Sequence, residues 1–150
     1  MSYGDIKIKS NSKFLKIESG QPRDIRLIDE TPYETMKHST ETGQIICTGE
    51  NCTLCADGLV PAQKFITNVY DHGAKRVLLF EYGTGIAKQL KSLAVTLEEE
   101  NKSILDVDIK IDATGSQKTK RYTVTPRMSS KPLPEGIIRH KIEGENALPF

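Results

Sequence analysis

Three cysteines lie close together in the segment CTGENCTLC (47–55), and they constrain the fold more than any other feature of the chain. The stretch around them, residues 30–60, shows neither helical nor strand periodicity. A structureless stretch of this length is improbable inside a compact domain. We therefore expect something other than a hydrophobic core to organise it.

The cysteine spacing C-x4-C-x2-C predicts a metal site. A C-x2-C turn lets Cys52 and Cys55 reach one ion from adjacent backbone positions, and Cys47 can supply a third thiolate. The predicted fourth ligand is His38, with His72 as the alternative. A set of three cysteines and one histidine closes a tetrahedral zinc site with no position for water, so the predicted zinc ion is structural. Three free thiols and a surface histidine are the competing interpretation.

Five β-type segments and one amphipathic helix account for most of the remaining chain. The predicted strands are a bent first strand (14–18 and 23–29), 63–71, 75–82, 106–112 and 118–125, with a hairpin turn at 71–74 and a helix, capped by Thr84, that runs to about Glu99. This order is that of the OB-fold. The predicted fold is therefore mainly β: a five-stranded OB-fold barrel with one helix between strands 3 and 4 and a zinc-binding insert between strands 1 and 2.

The length of 150 residues suits one domain. Hydrophobic residues make up 37% of the chain and the net charge is +1, which excludes a highly charged disordered chain. We expect residues 1–12 to form an N-terminal arm, residues 13–128 the OB-fold domain with its insert at 30–60, and residues 129–150 a linker and partner-binding tail. The chain shows no signal-peptide core and no apolar run near the roughly 20 residues that cross a bilayer, so we expect a cytoplasmic protein.

Aromatic and basic residues alternate along the predicted barrel strands. This pairing suits single-stranded nucleic acid, because unpaired bases stack on flat rings while cations follow the phosphates. Tyr70 and Tyr82 are predicted to be exposed, whereas Phe65, Phe80 and Tyr122 are predicted to lie in the core. The residues predicted to bind nucleic acid are Lys64, Tyr70, Lys75, Arg76, Tyr82, Lys118, Lys120, Arg121 and Arg127. A solvated basic surface is the competing interpretation.

Residues 13–126 resemble the single-stranded DNA-binding proteins of T-even-like and related tailed phages. The resemblance rests on His38, the segment CTGENCTLCADG (47–58), the strands FITNVYD and LLFEYG, the short helix, and the segments DVDI and YTVTP. It implies sequence-tolerant binding of single-stranded DNA during replication, recombination or repair, with zinc holding a subdomain against the barrel, and location in the host cell cytoplasm. The chain is much shorter than these proteins and lacks their long acidic C-terminal domain.

The C-terminal segment EGENALPF (143–150) is similar to the end of bacterial single-stranded DNA-binding proteins, where acidic residues precede a hydrophobic-Pro-Phe tip. The resemblance implies that Leu148, Pro149 and Phe150 bind replication or recombination proteins. A terminal phenylalanine offers an apolar anchor together with its α-carboxylate. A frayed chain end is the competing interpretation.

The leading hypothesis is a non-enzymatic protein that coats and protects exposed single-stranded DNA with little sequence preference. The alternative is a zinc-containing adaptor that recruits replication or transcription proteins without binding nucleic acid. Catalysis is not expected, because no Ser-His-Asp or Cys-His arrangement and no phosphate-binding glycine loop with a lysine stands out. Asp106 and Asp108 could hold a divalent cation, but alternating acids on a strand are predicted to be solvated.

Overall fold

A computed structural model describes residues 13–41, 43–115 and 120–142, and its main element is one seven-stranded sheet. The strands are β1 (Arg23–Leu27), β2 (Tyr33–Thr40), β3 (Gly43–Ile46), β4 (Ala62–Asp71), β5 (Arg76–Tyr82), β6 (Ile109–Thr114) and β7 (Arg121–Pro126). The helices in this part of the chain are α1 (Thr53–Ala56) and α2 (Thr84–Glu99), with 3-10 turns at Gly49–Asn51 and Ile104–Asp106. The prediction of a mainly β chain is confirmed.

Strand β4 is the centre of the sheet. One of its edges pairs with β5 over its last seven residues, which confirms the predicted hairpin. Its other edge pairs first with β2, through residues 62–66, and then with β1, through residues 69–71. Strand β1 also pairs with β6, and β6 with β7, so the sheet order is β3-β2-β4-β1-β6-β7 with β5 beside β4. All of these strand pairs are antiparallel.

The prediction of a closed five-stranded barrel is wrong, because the sheet is open and has seven strands. The insert supplies the two additional strands: β2 and β3 form a hairpin that pairs with the first half of β4. Within the described residues, no ladder joins β5 to β7. Instead, residues 13–15 run parallel to β5, where the Leu15 N–H donates to the Leu79 carbonyl at 2.7 Å and the Leu79 N–H donates to the Lys13 carbonyl at 2.6 Å.

The predicted first strand, residues 14–18 and 23–29, is broken: only Arg23–Leu27 forms a strand, and residues 14–18 make isolated bridges. Before β1 the chain makes a turn in which Glu18 bridges to Gln21 and Gly20 has a φ of +78°, a conformation that costs a glycine little. Leu15 and Ile17, on the other side of this turn, are buried in the main core. The turn therefore lets the residues before it run along β5 and pack on the core, and the chain then enters the sheet as β1.

The main core lies between the sheet and α2. Five of its residues are completely buried: Ile25, Val69, Ile109, Ile111 and Ala113. The predicted helix is confirmed, and it packs through Ile86, Leu90 and Leu97. It begins at Thr84 with Gly83 as the N-cap residue, so the prediction that Thr84 caps the helix is wrong.

Helix α2 also covers the outer edge of β7. The Gln89 side chain donates to the Tyr122 carbonyl at 2.8 Å and accepts from the Val124 N–H at 2.8 Å. These bonds satisfy backbone groups that an edge strand would otherwise leave exposed. Strand β7 is thereby fixed beside the start of the helix.

Asp108, predicted to be solvated, is 2% exposed and joins three parts of the chain. Its carboxylate accepts from Arg26 Nε and His72 Nε2, both at 2.8 Å, and from the Lys131 N–H at 2.6 Å. Burial alone would raise the pKa of Asp108, but these donors outweigh it and hold the pKa below its ordinary value. The prediction for Asp108 is wrong because its hydrogen-bond partners come from distant segments, whereas Asp106 is exposed as expected.

Within the described residues, no helix is long and apolar enough to cross a membrane.

Candidate metal centre and nucleic-acid groove

The hairpin of β2 and β3 and the short helix α1 bring the predicted metal ligands together. His38 lies in β2, directly opposite Ile45 of β3. Cys47 follows β3, and its N–H donates to the Met36 carbonyl at 2.8 Å, which keeps it beside β2. Cys52 is the N-cap residue of α1 and Cys55 lies in its first turn. Residues three apart share one face of a helix, so both sulphurs point the same way.

The ligand atoms of His38, Cys47, Cys52 and Cys55 all lie within 4.8 Å of one another. His38 Nε2 is 3.3 Å from Cys52 Sγ and 3.4 Å from Cys55 Sγ, and the Cys47 and Cys55 sulphurs are 3.5 Å apart. A tetrahedral zinc ion with ordinary bond lengths separates such ligands by about 3.5–3.8 Å. The spacing of the four side chains therefore fits a single small metal ion.

Burial shows which ligands anchor the site. His38 is completely buried and Cys52 is 6% exposed, whereas Cys47 is half-buried and Cys55 is exposed. The Nε2 atom of His38 faces the sulphurs, and its Nδ1 atom is buried without a hydrogen-bond partner among the described residues. The site thus has an inner side made by His38 and Cys52 and an outer side that reaches the surface.

The electrostatics of the thiols also favour a cation. Backbone N–H groups, first that of Cys55, lower the pKa of Cys52 to about 6. The Cys47 side chain, together with burial and the Cys52 thiol, raises the pKa of Cys55 to about 11. One thiolate is therefore favoured while its neighbour resists ionisation. A bound divalent cation removes this conflict, because it stabilises every thiolate that it contacts.

His72, the alternative fourth ligand, is not part of this group. It pairs with Asp108 and lies edge-on to Tyr70, with ring centroids 5.2 Å apart. The structure therefore assigns the fourth ligand position to His38, the first of the two candidates.

The tyrosines predicted to be exposed are buried. Tyr70 is 8% and Tyr82 is 7% exposed, so neither can stack with a base in this arrangement. Tyr82 packs on Phe65 and Phe80, with ring centroids at 5.5 and 5.0 Å, and its burial raises its pKa to about 12. The prediction failed because β4 and the end of β5 are covered on both faces, which strand alternation alone does not reveal.

Tyr122, predicted to lie in the core, is the exposed tyrosine of the predicted set. Its side chain on β7 is 36% exposed, and the Lys120 amine lies 5.4 Å from its ring centroid. The predictions for the other two aromatics hold, since Phe80 is 2% exposed and Phe65 packs against the core. The signal in the sequence was the segment RYTVTP, in which Val124 is the one aliphatic residue, and most of its side chains are exposed in the structure.

Tyr122 borders a cavity of about 320 Å³ between the end of β5, the start of α2 and β7. Lys64 reaches this cavity, and its amine lies 3.7 Å from the point where a Cβ on Gly83 would stand. Apolar side chains such as Leu15 and Ile86 line the cavity together with Glu81, whose carboxylate pairs with the Lys37 amine at 2.7 Å. We call this cavity, with Lys64, Lys120 and Tyr122, the Tyr122 groove.

The other predicted nucleic-acid residues are spread more widely. Arg121 is exposed on β7 one residue before Tyr122, so strand alternation places its side chain on the opposite face of the sheet from the Tyr122 ring. Lys75 and Arg76 are exposed at the far end of the β4–β5 hairpin from the groove. In the strand register Arg76 lies opposite Asp71 at that end, whereas Tyr82 lies opposite Phe65 at the groove end. Arg127 pairs with Asp24 at 2.7 Å, and the Lys120 amine donates to the Ile17 carbonyl at 2.6 Å. Lys118 and the tip residues Leu148, Pro149 and Phe150 lie outside the described residues.

Neither a scan against protein-family models nor a search of curated proteins finds a match for this chain.

Proposed function

We propose that this protein binds single-stranded DNA in the Tyr122 groove with little sequence preference, and that a structural zinc ion holds its insert. The observation that carries the proposal is the exposed Tyr122 ring with the Lys120 amine beside it and Lys64 in the same groove. The resemblance to phage single-stranded DNA-binding proteins supports the same function. Its role would be to coat and protect exposed strands during phage-type replication, recombination or repair.

The groove supports this function through two separate interactions. A base that leaves its stack can lie against the Tyr122 ring, and such stacking contributes about 1–3 kcal/mol per base whatever the base is. The amines of Lys64 and Lys120 carry positive charges that can neutralise phosphates. Stacking then provides affinity without sequence preference, and the phosphate contacts of the cations make that affinity depend on salt concentration.

The groove should favour single-stranded over double-stranded DNA, because paired bases are shielded inside the duplex and cannot stack on the Tyr122 ring. Tyr122 lies on β7, where the Gln89 side chain already binds the Tyr122 carbonyl and the Val124 N–H. These two backbone groups are therefore not free to pair with another β-strand.

For zinc, the donor set supports the choice of metal. Three sulphurs and one imidazole suit a tetrahedral zinc ion, whereas magnesium and calcium prefer oxygen ligands. Four protein ligands leave no position for water, so the ion would stabilise the insert and supply no catalytic chemistry.

A titration with fluorescent oligo-dT at several salt concentrations tests the proposed function. We expect the logarithm of affinity to fall linearly with the logarithm of salt concentration. Tyr122→Ala should weaken binding by about 1–3 kcal/mol, whereas Tyr122→Phe, which keeps the ring, should bind nearly as the unaltered protein does. Lys64→Ala should reduce the salt slope by about 0.7, the change for one phosphate contact on a single strand.

Lys102→Ala is the matched control for Lys64→Ala, because the Lys102 side chain is 63% exposed beyond the end of α2 and pairs only loosely with Glu100 at 3.8 Å. It should leave both affinity and slope unchanged. Binding that is insensitive to salt, or equal losses for Tyr122→Ala and Tyr122→Phe, would contradict the proposal. Absence of binding would instead favour the adaptor hypothesis.

A further inference from the structure

A short C-terminal segment lies on the face of the sheet opposite the main core. We call this segment, residues 139–142, the strap, and the surface beneath it the seat, made by Asp29, Asn68 and Val77 with Ile66 and Leu79. The His140 N–H donates to Asn68 Oδ1 at 2.8 Å, and Asn68 Nδ2 donates to the His140 carbonyl at 3.1 Å. One side-chain amide thus binds both backbone groups of a single residue, as a neighbouring strand would.

Asn68 is prepared for this contact by its surroundings. The residue is 2% exposed, and its Nδ2 also donates to Asp29 Oδ2 at 2.9 Å. The same carboxylate oxygen accepts from the Asn68 N–H at 2.8 Å. Asp29 therefore fixes which way the amide points, and a preorganised site loses less entropy when a peptide binds.

The rest of the strap adds charge and apolar complementarity. Arg139 Nε pairs with Asp29 Oδ1 at 3.2 Å, and His140 Nε2 donates to the Val77 carbonyl at 2.7 Å. Ile142 is 4% exposed and packs with Ile66 and Leu79 in a small cluster separate from the main core. The seat therefore selects a short extended segment with a basic residue and, three residues later, a branched apolar side chain.

The connection to the strap is short and stiff. Upstream, Lys131 is held by its N–H bond to Asp108 and by Arg26, which donates to the Lys131 carbonyl at 2.6 Å. Only residues 132–138 then lead to the strap, and they include Pro132, Pro134 and Gly136 with a φ of +74°. Short, constrained connections of this kind favour the exchange of a terminal segment between identical chains.

We propose that the seat also receives the strap of a second copy of this chain, so that neighbouring molecules are joined by strap exchange. Every strap contact described above can form between two chains as well as within one, so exchange sacrifices none of them. A cavity of about 850 Å³ between the strap and residues 29–33 leaves room for the connection of an incoming chain.

That strap exchange takes place between molecules bound to DNA rests on the proposed function. Molecules bound side by side on one DNA strand have a high effective concentration for each other, which favours contact between chains over contact within a chain. Exchange would then make DNA binding cooperative.

Two full-length variants test strap exchange without DNA. Asn68→Leu keeps the approximate shape of the residue but removes both hydrogen bonds between Asn68 and the His140 backbone. Arg139→Asp combined with Ile142→Asp disables the strap. The first variant has only a working strap and the second only a working seat. We expect each to be monomeric alone and the mixture to form a one-to-one dimer, measured by light scattering after size-exclusion chromatography. No dimer from two folded variants would overturn the proposal.

A second variant keeps the test decisive if Asn68→Leu fails to fold. Deleting residues 133–135 removes three of the seven connecting residues. The strap should then no longer reach its own seat, and a dimer should form in the otherwise unaltered chain. Adding Ile142→Asp to this deletion should return it to a monomer. A monomeric deletion variant would overturn the proposal, while loss of DNA binding in a chain that still dimerises would count against the proposed function alone.

Discussion

The insert, residues 30–60, and the body formed by the remaining strands and α2 bury different kinds of side chain. Among the described residues of the insert, only His38 and Cys52 are buried. The body buries a continuous apolar cluster in which Ile25, Val69 and Ile109 have no exposed surface. Both buried residues of the insert are candidate metal ligands, so the two regions depend on different interactions.

This difference teaches how a sheet can be extended without extending its core. Strands β2 and β3 gain backbone hydrogen bonds from β4, but they carry few apolar side chains to offset the entropy of ordering them. Helix α1 has only four residues and none of them is buried. A metal ion that binds four ligands from these elements supplies what hydrophobic burial does not.

The largest effect is expected from removing a metal ligand. Cys52→Ser should release the metal and unfold the insert, since structural zinc contributes about 10–16 kcal/mol in small zinc-binding peptides. Metal content of the purified protein and its far-ultraviolet circular dichroism measure both changes. Thr53→Ser, at the neighbouring exposed position, is the control and should retain one metal ion per chain. A Cys52→Ser protein with unchanged metal content would disprove the site.

The next effect concerns the body alone. Asp108→Asn removes the charge that pairs with Arg26, whose side chain is 10% exposed, and breaking a buried pair in this way costs about 3–5 kcal/mol. Because the folded-state pKa of Asp108 lies below its ordinary value of 3.8, its stabilisation is present above that pH and is lost as the pH falls further. The difference in unfolding free energy between the two proteins should therefore shrink below about pH 3.8.

Denaturant unfolding at several pH values measures this difference. Asp106→Asn is the matched control, because Asp106 is exposed two residues away and should change stability little at any pH. A difference for Asp108→Asn that stays constant down to strongly acidic pH would show that the carboxylate charge is not responsible.

The smallest effect compares one aliphatic side chain in each region. Ile109→Val removes a methylene from the fully buried core and should lower the unfolding free energy by about 0.5–1.5 kcal/mol. Val60→Ala in the insert should change it by less than about 0.5 kcal/mol, because Val60 is 87% exposed. Equal losses for the two variants would mean that the insert also relies on apolar burial.

Local sequence patterns were sufficient where the signal was contained in a short segment. The β-rich runs of β4 and β5 with the turn between them, and the apolar spacing of α2, led to the correct elements, although β4 is buried on both faces and does not alternate. The cysteine spacing predicted the metal group for a similar reason, since a C-x2-C turn needs only local geometry.

Long-range contacts explain what the sequence could not provide. Asp108 looked solvated because its partners lie far away along the chain. Tyr82 looked exposed because the packing of Phe65 against it depends on the register of β4 and β5. Strands β2 and β3 were missed because backbone hydrogen bonds, and few apolar side chains, hold them in the sheet.

Amide hydrogen exchange before and after metal chelation tests the contrast between the two regions most directly. We predict that chelation removes protection from β2, β3 and α1, while β5 and β6 keep theirs, because the apolar core of the body does not depend on the metal. Uniform loss of protection across both regions, or protection of the insert that survives chelation, would contradict this account.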